Sequence, residues 1–445
     1  MSTTGITVFI EGLSEKGEAM ARHQDMLYFM DGPLPGEELT IEPGEPFVKG
    51  SKRAPAAVLE TLKSHPQRCQ PFCRHYANCG GCSLQQASLK LQHALKAKAI
   101  DEALKAAGAV VSRHEPIVAA PTGEAVRFKS IRRFALLNGQ IVSGFYQKRS
   151  HELTPVYDCP LEPSWMGAAA FDLCSTAQHV RLLPYDEQSG QGCLRALLLR
   201  EGDPGERLLL LVTAHELPPI FIAALQELCT LHGISAGFVG INDQPGNQVL
   251  PESVEHIFGK ESIVKTFGGC RFEAGPLSFL QVNYPVAEAL YQRAVAHCGL
   301  GTRALDLCCG AGTMTLQLAR HFKEVVGVEI VPSAIEAAKR NAVLNGIENV
   351  SFYCEDMSSY LKGERVQFDA LIADPARVGL GEANCRIIGS LQGPLKASFI
   401  FCSLKALKRD LKVLLASGFR LDAVQGYDMF PHSMHIETLV LLSKD

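Results

Sequence analysis

No stretch of this chain is apolar for the roughly 20 residues that a membrane-spanning helix requires. No charged-then-apolar leader opens it either. It therefore reads as a cytoplasmic protein with no membrane partner, and a monomer is expected. Internal repeats and low-complexity segments are also missing, so repeat arrays and disordered tails do not enter the reading. An excess of positive charge is lacking too: 43 Lys and Arg stand against 47 Asp and Glu, a formal net charge of −4. The molecule as a whole is thus not built as a polyanion binder, and any such contact must rest on local groups. Three are present: Lys49, Lys52 and Arg53; Arg127, Lys129, Arg132 and Arg133; Lys148 and Arg149. Each reads equally as solvated surface charge or as a nucleic-acid contact.

Cysteine, by contrast, is plentiful, with 15 in 445 residues. Without a secretory signal these are expected as reduced thiols, metal ligands or catalysts rather than disulfides. Cys174, Cys193, Cys229, Cys270, Cys298 and Cys354 stand singly in mixed or apolar sequence and read as core residues. The chain is long enough for two or three domains.

The most informative stretch is 304–329. An apolar run breaks at Asp306-Leu-Cys-Cys-Gly310-Ala-Gly312, and a second apolar run ends on Glu329. This predicts strand, glycine turn, helix and strand, with a carboxylate at the tip of the second strand. There it could accept hydrogen bonds from ribose hydroxyls, while the glycines let a nucleoside approach the backbone. The dinucleotide fingerprint needs a third glycine two residues beyond Gly312, where Met314 stands instead. The turn therefore suits a nucleoside-type cofactor such as S-adenosylmethionine better than NAD, and points to methyl transfer.

Residues 1–62 hold short strand candidates at 6–10, 18–22, 26–29, 38–41 and 56–62, separated by Gly and Pro turns. They predict a small β-barrel of the oligonucleotide-binding type. A helix is expected over 85–107, with Gly108 as its stop. Residues 122–262 predict a mixed α+β domain, with strands at 131–137, 141–146, 193–199, 207–212 and 237–242 and a helix at 220–232. From 263 onward helices and strands alternate, with strands at 303–307, 324–329, 349–354, 368–373 and 397–402. That alternation is the signature of a doubly wound parallel sheet. Two more strands are expected near 419–425 and 437–442. The fold class is α/β in the C-terminal part, behind a mixed central domain and an N-terminal barrel. The assigned divisions are 1–62, then 63–88 with 122–262, then 89–121 with 263–445.

Cys73, Cys79 and Cys82 lie in Cys-Arg-His-Tyr-Ala-Asn-Cys-Gly-Gly-Cys, with Cys69 just before and Cys159 far downstream in Asp158-Cys-Pro160. Four thiolates can bind zinc or an iron–sulfur cluster, and the spacing does not separate the two. Gly80 and Gly81 favour close backbone approach and amide hydrogen bonds to sulfur.

In the C-terminal half, Ser278-Phe-Leu-Gln281-Val-Asn283 precedes a helix. An isolated Gln such as Gln281 is ordinarily a cap or a surface residue. Ala373-Asp374-Pro375-Ala376-Arg377 and Phe399-Ile-Phe-Cys402-Ser403 each end an apolar strand, placing Asp374 and Cys402 on the carboxyl edge, where such sheets bind ligands. His432 and His435, in Met429-Phe-Pro-His432-Ser-Met-His435-Ile-Glu437, make a weak metal site. The stretch better reads as the approach to a strand that delivers Glu437 to the same edge.

Taken together, these motifs resemble the 5-methyluridine RNA methyltransferase family, and in particular its rRNA-modifying branch, over nearly the whole chain. The resemblance rests on the barrel (of the TRAM type), Cys-x5-Cys-Gly-Gly-Cys with a distant Cys-Pro, and Phe-x-Gln-Val-Asn. It rests equally on Asp-Leu-x-Cys-Gly-x-Gly, Asp-Pro-x-Arg, the strand-end cysteine, and Phe-Pro-His-x-x-His-x-Glu. It implies a four-iron cluster on Cys73, Cys79, Cys82 and Cys159, with zinc second to it. It also implies an S-adenosylmethionine pocket lined by Gln281, Cys308, Gly310, Glu329, Asp356 and Asp374, and an RNA substrate, 23S rRNA ahead of tRNA. Three departures stand out, one being Cys308 where the family has an aromatic before the turn cysteine. The family's Ser-Cys-Asn-Pro is Phe401-Cys402-Ser403-Leu404 here, and the second proline of Asp-Pro-Pro-Arg is Ala376.

C5 of uracil is a poor nucleophile until a thiolate adds to C6 and turns the ring into an enolate. Cys402 is the residue expected to add, and Glu437 the base expected to take the C5 proton. The uridine must be splayed out of its RNA to reach them. The competing readings are a 5-methylcytidine or tRNA enzyme, or a catalytically attenuated RNA-binding homologue.

Overall fold

The computed structural model describes residues 5–110, 115–244, 246, 248–363 and 367–445. The first four residues of the barrel range, and 111–114 within the 89–121 range, lie outside the described residues. Strands β1 (Ile6–Leu13), β2 (Ala19–His23), β3 (Met26–Met30), β4 (Glu38–Pro43) and β5 (Arg53–Lys63) close into a barrel in the order β1-β2-β3-β5-β4. Alternation along the strands sends Val8, Ile10, Ala19, Ala21, Leu39 and Ile41 inward. Gly17, at φ +84°, turns β1 into β2, and a Cβ there would meet the Ser83 hydroxyl at 2.5 Å. The barrel is thereby seated closely on the cysteine segment.

Helix α1 (Leu89–Ala106) is capped by Ser88, whose hydroxyl accepts from the Leu91 N–H at 3.2 Å. It starts four residues later than the sequence pattern predicts. Gln85 and Gln86 turn away instead: the Gln85 carbonyl oxygen of the side chain accepts from Cys73 N–H (3.1 Å), and the Gln86 amide donates to Gly32 O (3.0 Å). The short strand β6 (Val118–Ala119) follows.

The central part comprises β7 (Lys129–Leu137), β8 (Gln140–Tyr146), β9 (Leu153–Pro155), α2 (Ser164–His179), β10 (Leu194–Glu201), β11 (Arg207–Thr213), α3 (Pro219–Leu231), β12 (Ala236–Ile241) and β13 (Glu255–Gly259). Its sheet runs β13-β12-β11-β10-β7-β8-β9. Helices α2 and α3 cover one face, packing Met166, Leu173, Phe221 and Leu225 on Leu197, Leu199, Leu209 and Leu211. The other face, through Ala196, Leu198, Leu208 and Leu210, shares a core with the hairpin β14 (Ile263–Phe267) and β15 (Cys270–Ala274) and with α4 (Tyr284–Cys298). Helix α2, β9, β13 and the hairpin are absent from the sequence expectation.

The C-terminal part runs β16 (Gly301–Leu307), α5 (Thr313–Leu318), β17 (Phe322–Glu329), α6 (Pro332–Leu344), β18 (Val350–Cys354), α7 (Met357–Gly363), β19 (Ala370–Ala373), α8 (Glu382–Ser390), β20 (Leu395–Phe401), α9 (Leu404–Ala416), β21 (Arg420–Asp428) and β22 (Glu437–Lys444). The strand order is β18-β17-β16-β19-β20-β22-β21-β6, parallel from β18 to β20, with β22 antiparallel to both neighbours. The chain winds outward from β16 to β18 and then returns to lay β19 beside β16. That reversal opens a crevice at the carboxyl ends of β16 and β19. The architecture is therefore the expected one: a small barrel, a mixed central sheet and a doubly wound α/β sheet.

Two groups of residues depart from expectation. Cys174, Cys193, Cys229, Cys270 and Cys298 are buried, but Cys354 ends the edge strand β18 and is exposed. Among the basic groups, Arg132 is fully buried and paired with Glu162, so it presents no charge to a partner. Arg149 pairs with Glu18 and Lys52 with Asp25.

Candidate active site

Five strand ends build the crevice. Asp306, fully buried in β16, accepts the Thr315 hydroxyl at 2.6 Å. Burial pushes its carboxyl up to about 7, opposed by that hydrogen bond, because a charge there has little water to solvate it. Beyond β16 the chain turns through Cys308 (φ +62°), Gly310 (φ +54°) and Gly312 (φ +83°). The Gly310 N–H donates to Glu329 Oε2 at 3.1 Å, while Glu329 Oε1 accepts from the Ile330 and Val331 N–H groups. The carboxylate at the tip of β17 is thus fixed against the glycine turn. Asp356 is exposed at the head of α7 and accepts from the Ser358 N–H at 2.9 Å. Burial raises the Cys308 thiol to about 12, with Glu329, Asp306, Asp374 and Asp356 adding to the rise through their charges.

On the other side of the switch point, Asp374 directly follows β19, Cys402 directly follows β20, and β22 begins with Glu437. The last paired residues of β20 and β22 are Phe401 and Thr438, so Cys402 and Glu437 are the positions just beyond that pair. Burial, then the charges of Glu437 and Asp374, raise the Cys402 thiol to about 11, partly offset by Arg377. Burial and the Asp374 charge hold the Glu437 carboxyl well above the usual carboxylate range. Burial lifts Asp374 in the same direction. Two interacting buried carboxyls disfavour each other's ionisation, so both are raised above the usual carboxylate range. Glu437 Oε2 is buried without a hydrogen-bond partner among the described residues.

Gln281 is neither a helix cap nor a surface residue. It is buried, donates to Asp374 Oδ2 at 3.5 Å and bonds the Tyr291 side chain of α4. Two residues on, the Asn283 amide reaches the carbonyls of Asp428 and Met429 at 3.5 and 3.4 Å. Tyr291 and Asn283 escape sequence reasoning for different reasons. The tyrosine lies on an ordinary amphipathic helix, whereas the asparagine sits inside a motif whose reach is visible only in three dimensions. The histidines do not form a metal site: His432 is buried in hydrogen bonds to Gln92 and Gly123, and His435 packs edge-on against Phe430.

Away from this crevice, Cys73, Cys79, Cys82 and Cys159 line one enclosed cavity together with Arg127 and Leu161. The Gly81 N–H donates to Cys79 Sγ at 3.4 Å. A Cβ on Gly80 would strike Tyr146 O at 2.7 Å, so only glycine fits there. Cys69 does not line the cavity; its thiol donates to Gln85 O.

The fold and crevice define a doubly wound nucleoside-binding transferase domain carried behind a barrel and a central sheet. The family model described as tRNA (Uracil-5-)-methyltransferase matches residues 269–445. An uncharacterized RNA methyltransferase of Listeria innocua is 30% identical over 445 residues, covering 98% of this chain and 97% of its own. Another, from Thermosynechococcus vestitus, is 32% identical and covers 98% of each chain. Among solved structures, the tRNA (uracil-54, C5)-methyltransferase of Pyrococcus abyssi, in complex with S-adenosyl-L-homocysteine, superposes with a TM-score of 0.76. It is 23% identical, over 98% of this chain and 99% of that one, and shares the fold. The chain belongs to the RNA (uracil-C5)-methyltransferase family, a class of S-adenosylmethionine-dependent enzymes.

Proposed function

We propose that this enzyme methylates C5 of a specific uridine in 23S rRNA, with Cys402 as nucleophile and Glu437 as base. The observation that carries the reading is the convergence of a strand-end thiol with two buried carboxyls at the switch point of the sheet. Cys402 adds through sulfur to C6 after its proton is released to water, since a thiol with a pKa near 11 is protonated at neutral pH, and Glu437 stays ionised for the later step. The enolate then takes the methyl group that S-adenosylmethionine supplies. Glu437 removes the C5 proton, the C6–S bond breaks, and the thiol leaves with the pyrimidine 5,6 double bond restored. Asp374, held by Gln281, orients the base, and Gln281, Cys308, Gly310, Glu329, Asp356 and Asp374 border the cofactor.

The four thiols around one cavity suit a 4Fe–4S cluster. Gly81 already offers a hydrogen bond to the Cys79 sulfur and the Arg127 charge favours the thiolates of Cys79 and Cys159, while the choice of a cluster over zinc rests on the resemblance. Bound there, the cluster would clamp 73–82 to Cys159, within the division into 1–62, 63–88 with 122–262, and 89–121 with 263–445. The cysteine set and barrel favour rRNA by their resemblance to that branch. The family model's description favours a second reading, tRNA.

Labelled S-adenosylmethionine, anaerobically purified protein and total RNA from a strain lacking the gene test the proposal. Labelled 5-methyluridine in 23S rRNA is expected. The same label in tRNA would move the substrate, and labelled 5-methylcytidine would reassign the base.

A further inference from the structure

Gln92 is fully buried on α1 and has its whole amide engaged. Its Nε2 donates to Leu84 O (3.0 Å) and Ala87 O (2.8 Å) and lies 3.2 Å from His432 Nδ1, while its Oε1 accepts from the His432 N–H at 2.9 Å. His432 Nε2 lies 3.1 Å from Gly123 O, so Nε2 carries the ring proton and Nδ1, beside the Gln92 amide, is unprotonated. The His432 carbonyl in turn accepts from the Ser83 and Leu84 N–H groups at 2.8 and 2.9 Å. His432 holds φ +64°, a left-handed conformation unfavourable for a residue with a Cβ, and the ring of Phe72 packs edge-on against it. Surrounding bonds must hold such a residue in place.

Cys82 immediately precedes Ser83, and Glu437 follows His432 by five residues along the same segment. The cysteine loop therefore grips the segment that carries Glu437. A second link leaves the same loop: Arg127 donates to Gly81 O at 3.0 Å, and the next residue, Phe128, donates its N–H to Val282 O at 2.8 Å, beside Gln281. One loop thus supports both the Glu437 segment and the residue that holds Asp374.

We propose that Gln92 is a positioning residue that, with the cysteine loop 79–84, fixes Glu437, so that the state of the four thiols is read out at C5 deprotonation rather than at cofactor binding. This rests on the reading of Glu437 as base. A bound cluster holds Cys82, hence Ser83 and Leu84, hence His432. Freed thiols release the grip from one end, and loss of Gln92 releases it from the other.

Hydrogen exchange and adduct partitioning on the full-length protein test this. In Gln92→Ala, exchange across 430–436 should rise at least about tenfold and the methylated RNA adduct should decay at least about tenfold more slowly, with S-adenosylhomocysteine affinity unchanged. Gln92→Glu, which keeps an acceptor for the His432 N–H, should fall between the two. Adduct decay at the wild-type rate, or equal losses in affinity and decay, would overturn the proposal. Anaerobic chelation of the wild-type protein serves if Gln92→Ala does not fold: exchange across 430–436 should again rise, while β17 stays protected. No rise there, with 79–84 exposed, would equally overturn it. Glu437→Gln in the same assay judges the base separately, because exchange does not depend on that carboxyl's chemistry.

Discussion

Gln281 donates to Asp374 across 93 positions of sequence, at 3.5 Å, from the segment before α4 to the end of β19. This contact ties the central part's neighbour to the switch point and leaves Asp374 Oδ2 oriented. Replacing Gln281 by Leu removes the donor and leaves a buried carboxyl unserved, a loss of about 1–3 kcal/mol. If Gln281 borders the cofactor, S-adenosylhomocysteine affinity measured by calorimetry falls by about 5- to 150-fold. Affinity within a factor of about two of wild type would place Gln281 outside the pocket.

The pH dependence follows from two raised groups. Cys402, at about 11, and Glu437, above the usual carboxylate range, must both lose a proton to act, so both are inactive at low pH. Single-turnover methylation should rise with pH by about tenfold to a hundredfold per unit between pH 6 and pH 8, tenfold for each required deprotonation. A rate that is flat or falls over that range would contradict the assignment of both roles.

Lys96 and Asp428 form a fully buried ion pair at 2.5 Å, and Lys96 Nζ also donates to Phe430 O at 3.2 Å. Lys96→Met strands the Asp428 charge with only His93 beside it, 3.1 Å away. Removing one partner of such a pair costs about 3–5 kcal/mol. Denaturant unfolding should show a loss of that size, and a change below about 1 kcal/mol would mean that the pair is solvated in solution.

Much of this was legible in the residues, for reasons that differ along the chain. The barrel strands alternate and are bounded by Gly and Pro, so period and punctuation agree, and β5 alone begins three residues earlier than the expected 56. Asp374, Cys402 and Glu437 were placed on one edge because each abuts an apolar strand, and strands of a doubly wound sheet end together. Helix α2 was invisible: Pro163 precedes it with no side-chain cap, and its Gly-Ala-Ala-Ala run carries no 3.6-residue stripe. The partners of Gln281, Gln92 and Lys96 are not legible in the sequence because they lie 93, 340 and 332 residues away. A polar residue in a helical pattern reads as surface until the other side of the contact is seen.

The most direct test of the covalent mechanism is mass spectrometry of Glu437→Gln after turnover with unmodified RNA and S-adenosylmethionine. The account predicts a methylated RNA fragment bound to the Cys402 peptide, because addition and methyl transfer proceed while C5 deprotonation does not. Free 5-methyluridine at the wild-type rate, with Cys402 unmodified, would contradict it.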